Sequence, residues 1–80
     1  MAKKVLIVDD SALIRQVLSD IVNSDSRFKV VDRAADGEAA FELLKKNTYD
    51  AVVLDVNMPK MNGIEFLREL EKICPVVVMR

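Results

Sequence analysis

Val5-Leu6-Ile7-Val8-Asp9-Asp10 and Ala51-Val52-Val53-Leu54-Asp55 decide the fold of this chain. Each is a short aliphatic run that ends in acid. Runs of this length, rich in β-branched residues and bounded by polar segments, read as strands buried on both faces of a parallel sheet. In an open parallel sheet, ligands bind outside the carboxyl ends of the strands. If the two runs are neighbours, Asp9, Asp10 and Asp55 meet at one edge. Three carboxylates held close together repel strongly unless a cation joins them. A hard divalent ion with oxygen ligands relieves that repulsion, and Mg²⁺ is the natural candidate.

Outward from these runs, strand-like and helix-like segments alternate with short joins. Residues 4–8 predict a first strand. Leu13, Ile14, Val17, Leu18, Ile21 and Val22 recur at helical spacing and predict a helix over 12–23, with Ser11 at the N-cap. Residues 28–32 predict a second strand. Asp36-Gly37 signals a turn ahead of a helix over 38–46, whose Ala40, Phe41 and Leu44 point inward. A third strand over 50–54, a loop over 56–62 carrying Pro59, a third helix over 63–72 and a fourth strand over 76–79 complete the pattern. Glu65, Glu69 and Glu71 read as a solvated face shared with Arg68 and Lys72. The βαβαβαβ order predicts an α/β fold with right-handed crossovers and helices on both faces. The last strand is as apolar as a central strand, yet nothing follows to cover it. The helix over 12–23 has no neighbour on its side of the sheet. Residues 1–80 therefore read as the N-terminal portion of one domain, cut short after the fourth strand.

Composition narrows the function classes. Of the 80 residues 51% are hydrophobic but only 5% aromatic, with no Trp, so the core is aliphatic. The net charge is −1, and the Lys and Arg residues are dispersed along the sequence, which argues against direct nucleic-acid binding. The apolar runs are too short to span a bilayer, and the charged start followed by a brief apolar run is not a signal peptide. The single Cys74 cannot form an internal disulfide and fits a reducing cytoplasm.

Three local signatures stand in order on these elements: Val5-Leu6-Ile7-Val8-Asp9-Asp10-Ser11, Ala35-Asp36-Gly37-Glu38-Ala39-Ala40 and Leu54-Asp55-Val56-Asn57-Met58-Pro59-Lys60-Met61-Asn62-Gly63. Together they resemble the receiver domain of bacterial two-component response regulators, a flavodoxin-like, doubly wound fold. Asp10-Ser11-Ala12-Leu13-Ile14-Arg15 is most similar to the regulatory domain of chemotaxis methylesterases. The resemblance implies a strand order of 2-1-3-4 here. It also implies a phosphorelay function in which Asp55 accepts a phosphoryl group from a partner histidine kinase. Asp10 is then the direct acidic Mg²⁺ ligand, and Asp9 supports the ion largely through water. Asn57 offers its backbone carbonyl. Such a domain catalyses only its own phosphorylation and dephosphorylation, and is not otherwise an enzyme.

The family continues with a fifth strand and further helices, and it uses a hydroxyl residue at the end of the fourth strand and a Lys at the end of the fifth. Arg80 stands at or just before the hydroxyl position, and no residue here is assigned the role of the Lys. An uncovered fourth strand and an uncovered first helix predict self-association or domain swapping. Two other functions compete with the receiver reading. One is a non-catalytic fold fragment that self-associates. The other is a metal-dependent phosphohydrolase, which needs a second acid two residues after its nucleophile, where this chain has Asn57. Asp9-Asp10 as a plain solvated strand end, with Asp10 or Ser11 capping the helix, is the structural alternative to a metal site. Asp36-Gly37 reads as a structural turn rather than a ligand pair.

Overall fold

Val5–Val8 lie at the centre of a parallel sheet, as buried as their composition demands. The computed structural model describes residues 2–55, 68, 72 and 76–79, with Asp55 and the stretch 76–79 described as backbone. Among these, β1 (Lys3–Val8), α1 (Ala12–Asn23), β2 (Phe28–Ala34), α2 (Gly37–Lys46), β3 (Ala51–Asp55) and β4 (Val76–Met79) follow in chain order. The strands form one sheet in the order β2-β1-β3-β4, and every pairing is parallel. This is the expected order. The predicted loop over 56–62 and third helix over 63–72 lie outside the described residues, apart from Arg68, which is helical, and Lys72, which is in a turn.

Successive side chains of a strand point to opposite faces, and β1 feeds two cores by that rule. Leu6 and Val8 pack with Ala34, Ala40, Tyr49, Val52 and Leu54 on the face that carries α2. Val5 and Ile7 pack with Val53 on the other face, against Leu18 and Val22 of α1. At the start of the strands, Lys4 and Asp50 clasp each other. The Lys4 amide donates to Asp50 Oδ2 at 2.7 Å, and the Asp50 amide donates to the Lys4 carbonyl at 2.8 Å. Asp50 is thus a clamp ahead of β3 rather than its first residue. The clamp sets Val5 opposite Ala51 and carries the register through to Val8 opposite Leu54.

β2 runs two residues beyond the span predicted from sequence. The charged pair Asp32-Arg33 looks like a strand end, but both side chains have partners. Val5 pairs with Val30 while Leu6 pairs with Asp32, so the ladder skips Val31. That one-residue shift reverses which face each later residue of β2 meets. Phe28 and Val30 belong to the α1 side. Past the shift, Asp32 accepts from the Tyr49 hydroxyl at 2.5 Å, and Ala34 enters the α2-side core. Arg33 turns to α1, where its Nε donates to Ser19 Oγ at 2.7 Å.

The sequence of α1 divides into rows four residues apart, which lie one above the other on a helix. Ile14, Leu18 and Val22 form the half-buried inner row. Arg15, Ser19 and Asn23 form a polar row, and each is tied to a residue outside the helix. Arg15 Nη1 donates to the Asp9 carbonyl, Ser19 receives Arg33, and Asn23 Oδ1 accepts the Val30 amide at 2.8 Å. Gln16 and Asp20 bond each other in solvent. Leu13, Val17 and Ile21 form an outer row that is 71%, 43% and 61% exposed. Half of the apolar residues that announce this helix therefore face outward.

Asp36-Gly37 is not a free-standing turn. Asp36 is the N-cap of α2, accepting the Ala39 amide at 2.8 Å, and Gly37 is the first helical residue. Glu38 in the first turn and Lys45 and Lys46 in the last complement the helix dipole.

The clasp between Tyr49 and Asp32 has a pH signature. Burial, and then the hydrogen bond to the Asp32 carboxylate, push the Tyr49 hydroxyl from its ordinary value of 10 up to about 12. A raised folded-state value means that the stabilisation is complete below pH 10 and is lost as pH rises toward 12. Tyr49 is the one tyrosine, and there is no Trp. Its tyrosinate absorbance should therefore titrate well above that of the urea-unfolded chain. Tyr49→Phe should flatten the alkaline fall in melting temperature. A titration at the ordinary tyrosine value would refute the clasp.

Candidate functional site

β1 delivers Asp9 and Asp10 to the carboxyl edge of the sheet. Asp9 is only 1% exposed. Its backbone N–H donates to the Ala34 carbonyl at the end of β2 (3.1 Å). Its carbonyl accepts Arg15 Nη1 (2.7 Å), and its Oδ1 accepts the Ser11 amide (2.9 Å). Asp10, the next residue, is exposed. Ser11 holds extended backbone at φ −93°, ψ 121°, and caps α1 by accepting the Ile14 amide at 3.3 Å. The cap role therefore goes to Ser11. Asp9 is not a solvated strand end, since its carboxylate is withdrawn from water and held by the turn that starts the helix.

Asp55 is the last residue of β3. With Val8 opposite Leu54, one further step along both strands brings the backbones of Asp9 and Asp55 to the same rim. Asp55 is itself paired with Met79 of β4. The side chain of Asp55, and all of Asn57, Met58, Pro59, Met61, Gly63 and Arg80, lie outside what is described. Among the described residues, no three His, Cys, Asp or Glu side chains form a metal-sized group. Asp9 and Asp10 are described in full at the rim, and Asp55 through its backbone.

The chemistry of this rim is that of oxygen donors. An ionised carboxylate nine-tenths or more removed from water is costly unless hydrogen bonds and positive charge compensate it. The Ser11 amide supplies one hydrogen bond, and the Arg15 guanidinium brings a positive charge onto the adjacent carbonyl. Asp10, in solvent beside it, is free to reach a ligand that arrives from outside. Reading the acid pattern alone misses Arg15. The signal for it is its place in the first turns of α1, since helical side chains tilt toward the N-terminus and so reach back over the preceding turn. Asp36, the remaining acid past the end of β2, is engaged as the α2 cap.

An open parallel sheet of order 2-1-3-4, flanked by helices and with acids gathered at the ends of its two central strands, defines a receiver-type, flavodoxin-like domain of two-component signalling. The chain belongs to the response regulator receiver domain family, which it matches over residues 5–79. It is 51% identical over 76 residues to a protein-glutamate methylesterase/protein-glutamine glutaminase of Pyrococcus horikoshii, covering 95% of this chain and 21% of that protein. The response regulator domain of Thermotoga maritima CheB is 42% identical, with a TM-score of 0.78 over 98% of this chain and 58% of that one. CheY6 of R. sphaeroides, solved in complex with the P1 domain of CheA3, is 35% identical with a TM-score of 0.78, over 95% and 60% of the two chains. The chain thus spans about a fifth of the length of the curated relative and less than two thirds of the solved chains.

If Asp36 serves only as a cap, Asp36→Ala should lower stability by about 1 kcal/mol in urea unfolding. It should leave any Mg²⁺ affinity as in the wild type. A loss of metal affinity in that variant would return Asp36 to the site.

Proposed function

We propose that this chain is a phosphoacceptor module of a chemotaxis-type phosphorelay, with Asp55 taking a phosphoryl group from a histidine kinase in the cytoplasm. The observation that carries this reading is the register that ends β1 and β3 together, with Asp9 buried and Asp10 exposed at the shared rim. The donors fit Mg²⁺. Two carboxylates at adjacent positions, Asp55 at the neighbouring strand end and the Asn57 carbonyl are all hard oxygens, and Mg²⁺ keeps several waters besides. When bound, Mg²⁺ supplies the positive charge that offsets repulsion between an aspartate and an incoming phosphoryl group.

Each residue then has its own task. The Asp55 carboxylate attacks phosphorus, so an O–P bond forms as the N–P bond to the kinase's histidine breaks. Asp10 would hold the ion directly, and Asp9 would support it largely through water. The Asn57 carbonyl closes the set. The acyl phosphate so formed is open to hydrolysis, which makes it a timed mark. The solved pairing of CheY6 with a CheA3 P1 domain supports a kinase partner. The methylesterase names of the relatives support a chemotaxis setting, with the ester chemistry outside the fifth of those proteins matched here. No described helix is long and apolar enough to cross a membrane.

Mg²⁺ should raise the melting temperature, because a ligand of the folded state adds RT ln(1 + [L]/Kd). Asp10→Ala should weaken Mg²⁺ binding by about tenfold or more, as removal of a direct ligand requires. Asp55→Asn should abolish binding of beryllofluoride, a phosphoryl mimic, while the fold persists. A melting temperature that does not respond to Mg²⁺, or beryllofluoride binding indifferent to Asp55, would overturn this function.

The outer row of α1 favours a second property, self-association. Leu13, Val17 and Ile21 are exposed, and Ile21 also lines, with Leu18 and Val22, an apolar groove of about 460 Å³ between α1 and the sheet, floored by Val5, Ala51 and Val53. The row is an i±4 ridge, which packs against an identical ridge at about −50°. A second copy of this chain is the proposed occupant. Light scattering should show a mass that grows with concentration, and Val17→Glu should return it to the monomer. A monomer at every concentration would remove this property and leave the phosphoacceptor reading intact.

A further inference from the structure

The acid turn is held from below by a side chain that neither binds the ligand nor belongs to the turn. Asp9 stands one residue past the end of β1, and its amide still reaches the Ala34 carbonyl. Its carbonyl points instead to α1, where Arg15 Nη1 meets it at 2.7 Å. Arg15 can reach because its backbone is fixed by the first helical bond, from its amide to the Ser11 carbonyl at 3.0 Å, and because its side chain leans toward the helix N-terminus. The helix beneath it is fixed in turn. Ser19, fully buried, donates Oγ to the Arg15 carbonyl at 2.6 Å and accepts Arg33 Nε from β2 at 2.7 Å. A continuous polar line therefore runs from β2 through Ser19 and Arg15 to the peptide that joins Asp9 to Asp10.

That peptide is the one whose orientation matters. Its carbonyl belongs to Asp9 and its nitrogen to Asp10, so fixing its plane constrains how the backbone passes from a buried acid to an exposed one. We infer that Arg15 is a positioning residue for the acid site, orienting the Asp9–Asp10 peptide so that both carboxylates address one cation. This rests on the reading of the rim as a Mg²⁺ site. Arg15 touches no ligand in this scheme. It acts through the Asp9 carbonyl.

The test compares Mg²⁺ affinity, measured by titration calorimetry on the full 80-residue chain, in wild type, Arg15→Met and Arg15→Lys. Arg15→Met keeps the aliphatic stem but removes donor and charge. It should weaken Mg²⁺ binding by about 10–100-fold, the usual cost of losing a residue that orients metal ligands. Arg15→Lys should fall between Arg15→Met and wild type. The amide resonances of Asp9 and Asp10 should shift in metal-free Arg15→Met, while those of α2 stay in place, which a general loosening of the fold would not produce. Unchanged Mg²⁺ affinity in a folded Arg15→Met overturns the role of Arg15. If that variant does not melt cooperatively, Arg15→Lys decides alone, and binding equal to wild type overturns the role. A wild-type chain that takes no Mg²⁺ overturns the metal reading itself, a result distinct from either.

Discussion

The parallel register of β1 against β3 is the constraint on which the rest depends. Two strands must end together for their terminal acids to share a rim. The reciprocal bonds between Lys4 and Asp50 fix the starting point, and four in-phase pairs from Val5–Ala51 to Val8–Leu54 carry it to the other end. Because the side-chain period of a strand is two, a slip of one residue would turn the buried set of β3 to the wrong face. It would also move Asp55 away from the level of Asp9. Core packing and site assembly are therefore specified by the same register. Hydrophobic selection of the strand pairing brings the backbones of Asp9 and Asp55 to one rim.

A buried carboxylate is a cost that a small domain meets from its core. Asp9 sits among groups as buried as the aliphatic side chains beneath it, at 1% exposure beside Val8 at 0%. Neither helix propensity nor strand pairing calls for an acid there. What makes it tolerable is local: an amide of the next turn, a guanidinium on its carbonyl, and a sheet whose both faces are packed with aliphatic residues. A residue that breaks the ordinary rule for core positions while its neighbours accommodate it is the pattern expected of a functional site.

Much of this was legible from residue order, and the exceptions share a cause. The aliphatic runs of β1 and β3, the periodicity of α1 and the cap at Ser11 are local signals, and each stands where the sequence places it. The continuation of β2 through Asp32 and Arg33 was not legible, because charge at a strand end looks like termination until the partners, Tyr49 and Ser19, are known. Those partners lie 17 and 14 residues away. The skip at Val31 that sends the two charges to opposite faces leaves no mark in composition. Asp36-Gly37 carries a turn signature, yet the same pair of residues serves as a cap and first helical residue, and only the backbone distinguishes the two. At the site, the positions of Asp9 and Asp10 followed from the pattern, while Arg15 needed the geometry of a side chain reaching back across a helical turn.

α1 shows how one helix serves several structural demands at once. An amphipathic helix needs a single apolar stripe; Leu18 and Val22 pack it against the sheet, and half-buried Ile14 continues their row. The row beside it is polar and would ordinarily face water. Here Arg15, Ser19 and Asn23 spend their hydrogen bonds on Asp9, on Arg33 and on the Val30 amide, so the helix is tied at three levels to the strands on either side of its own connection. Apolar packing alone would let a helix slide or rotate by small amounts, since it is non-directional. Directional bonds at three successive turns remove that freedom. The row that remains, Leu13, Val17 and Ile21, is apolar and exposed, which a solitary surface helix does not require. A helix fixed this firmly presents that outer ridge as a rigid surface, and its first turn carries the same rigidity into the acid rim above.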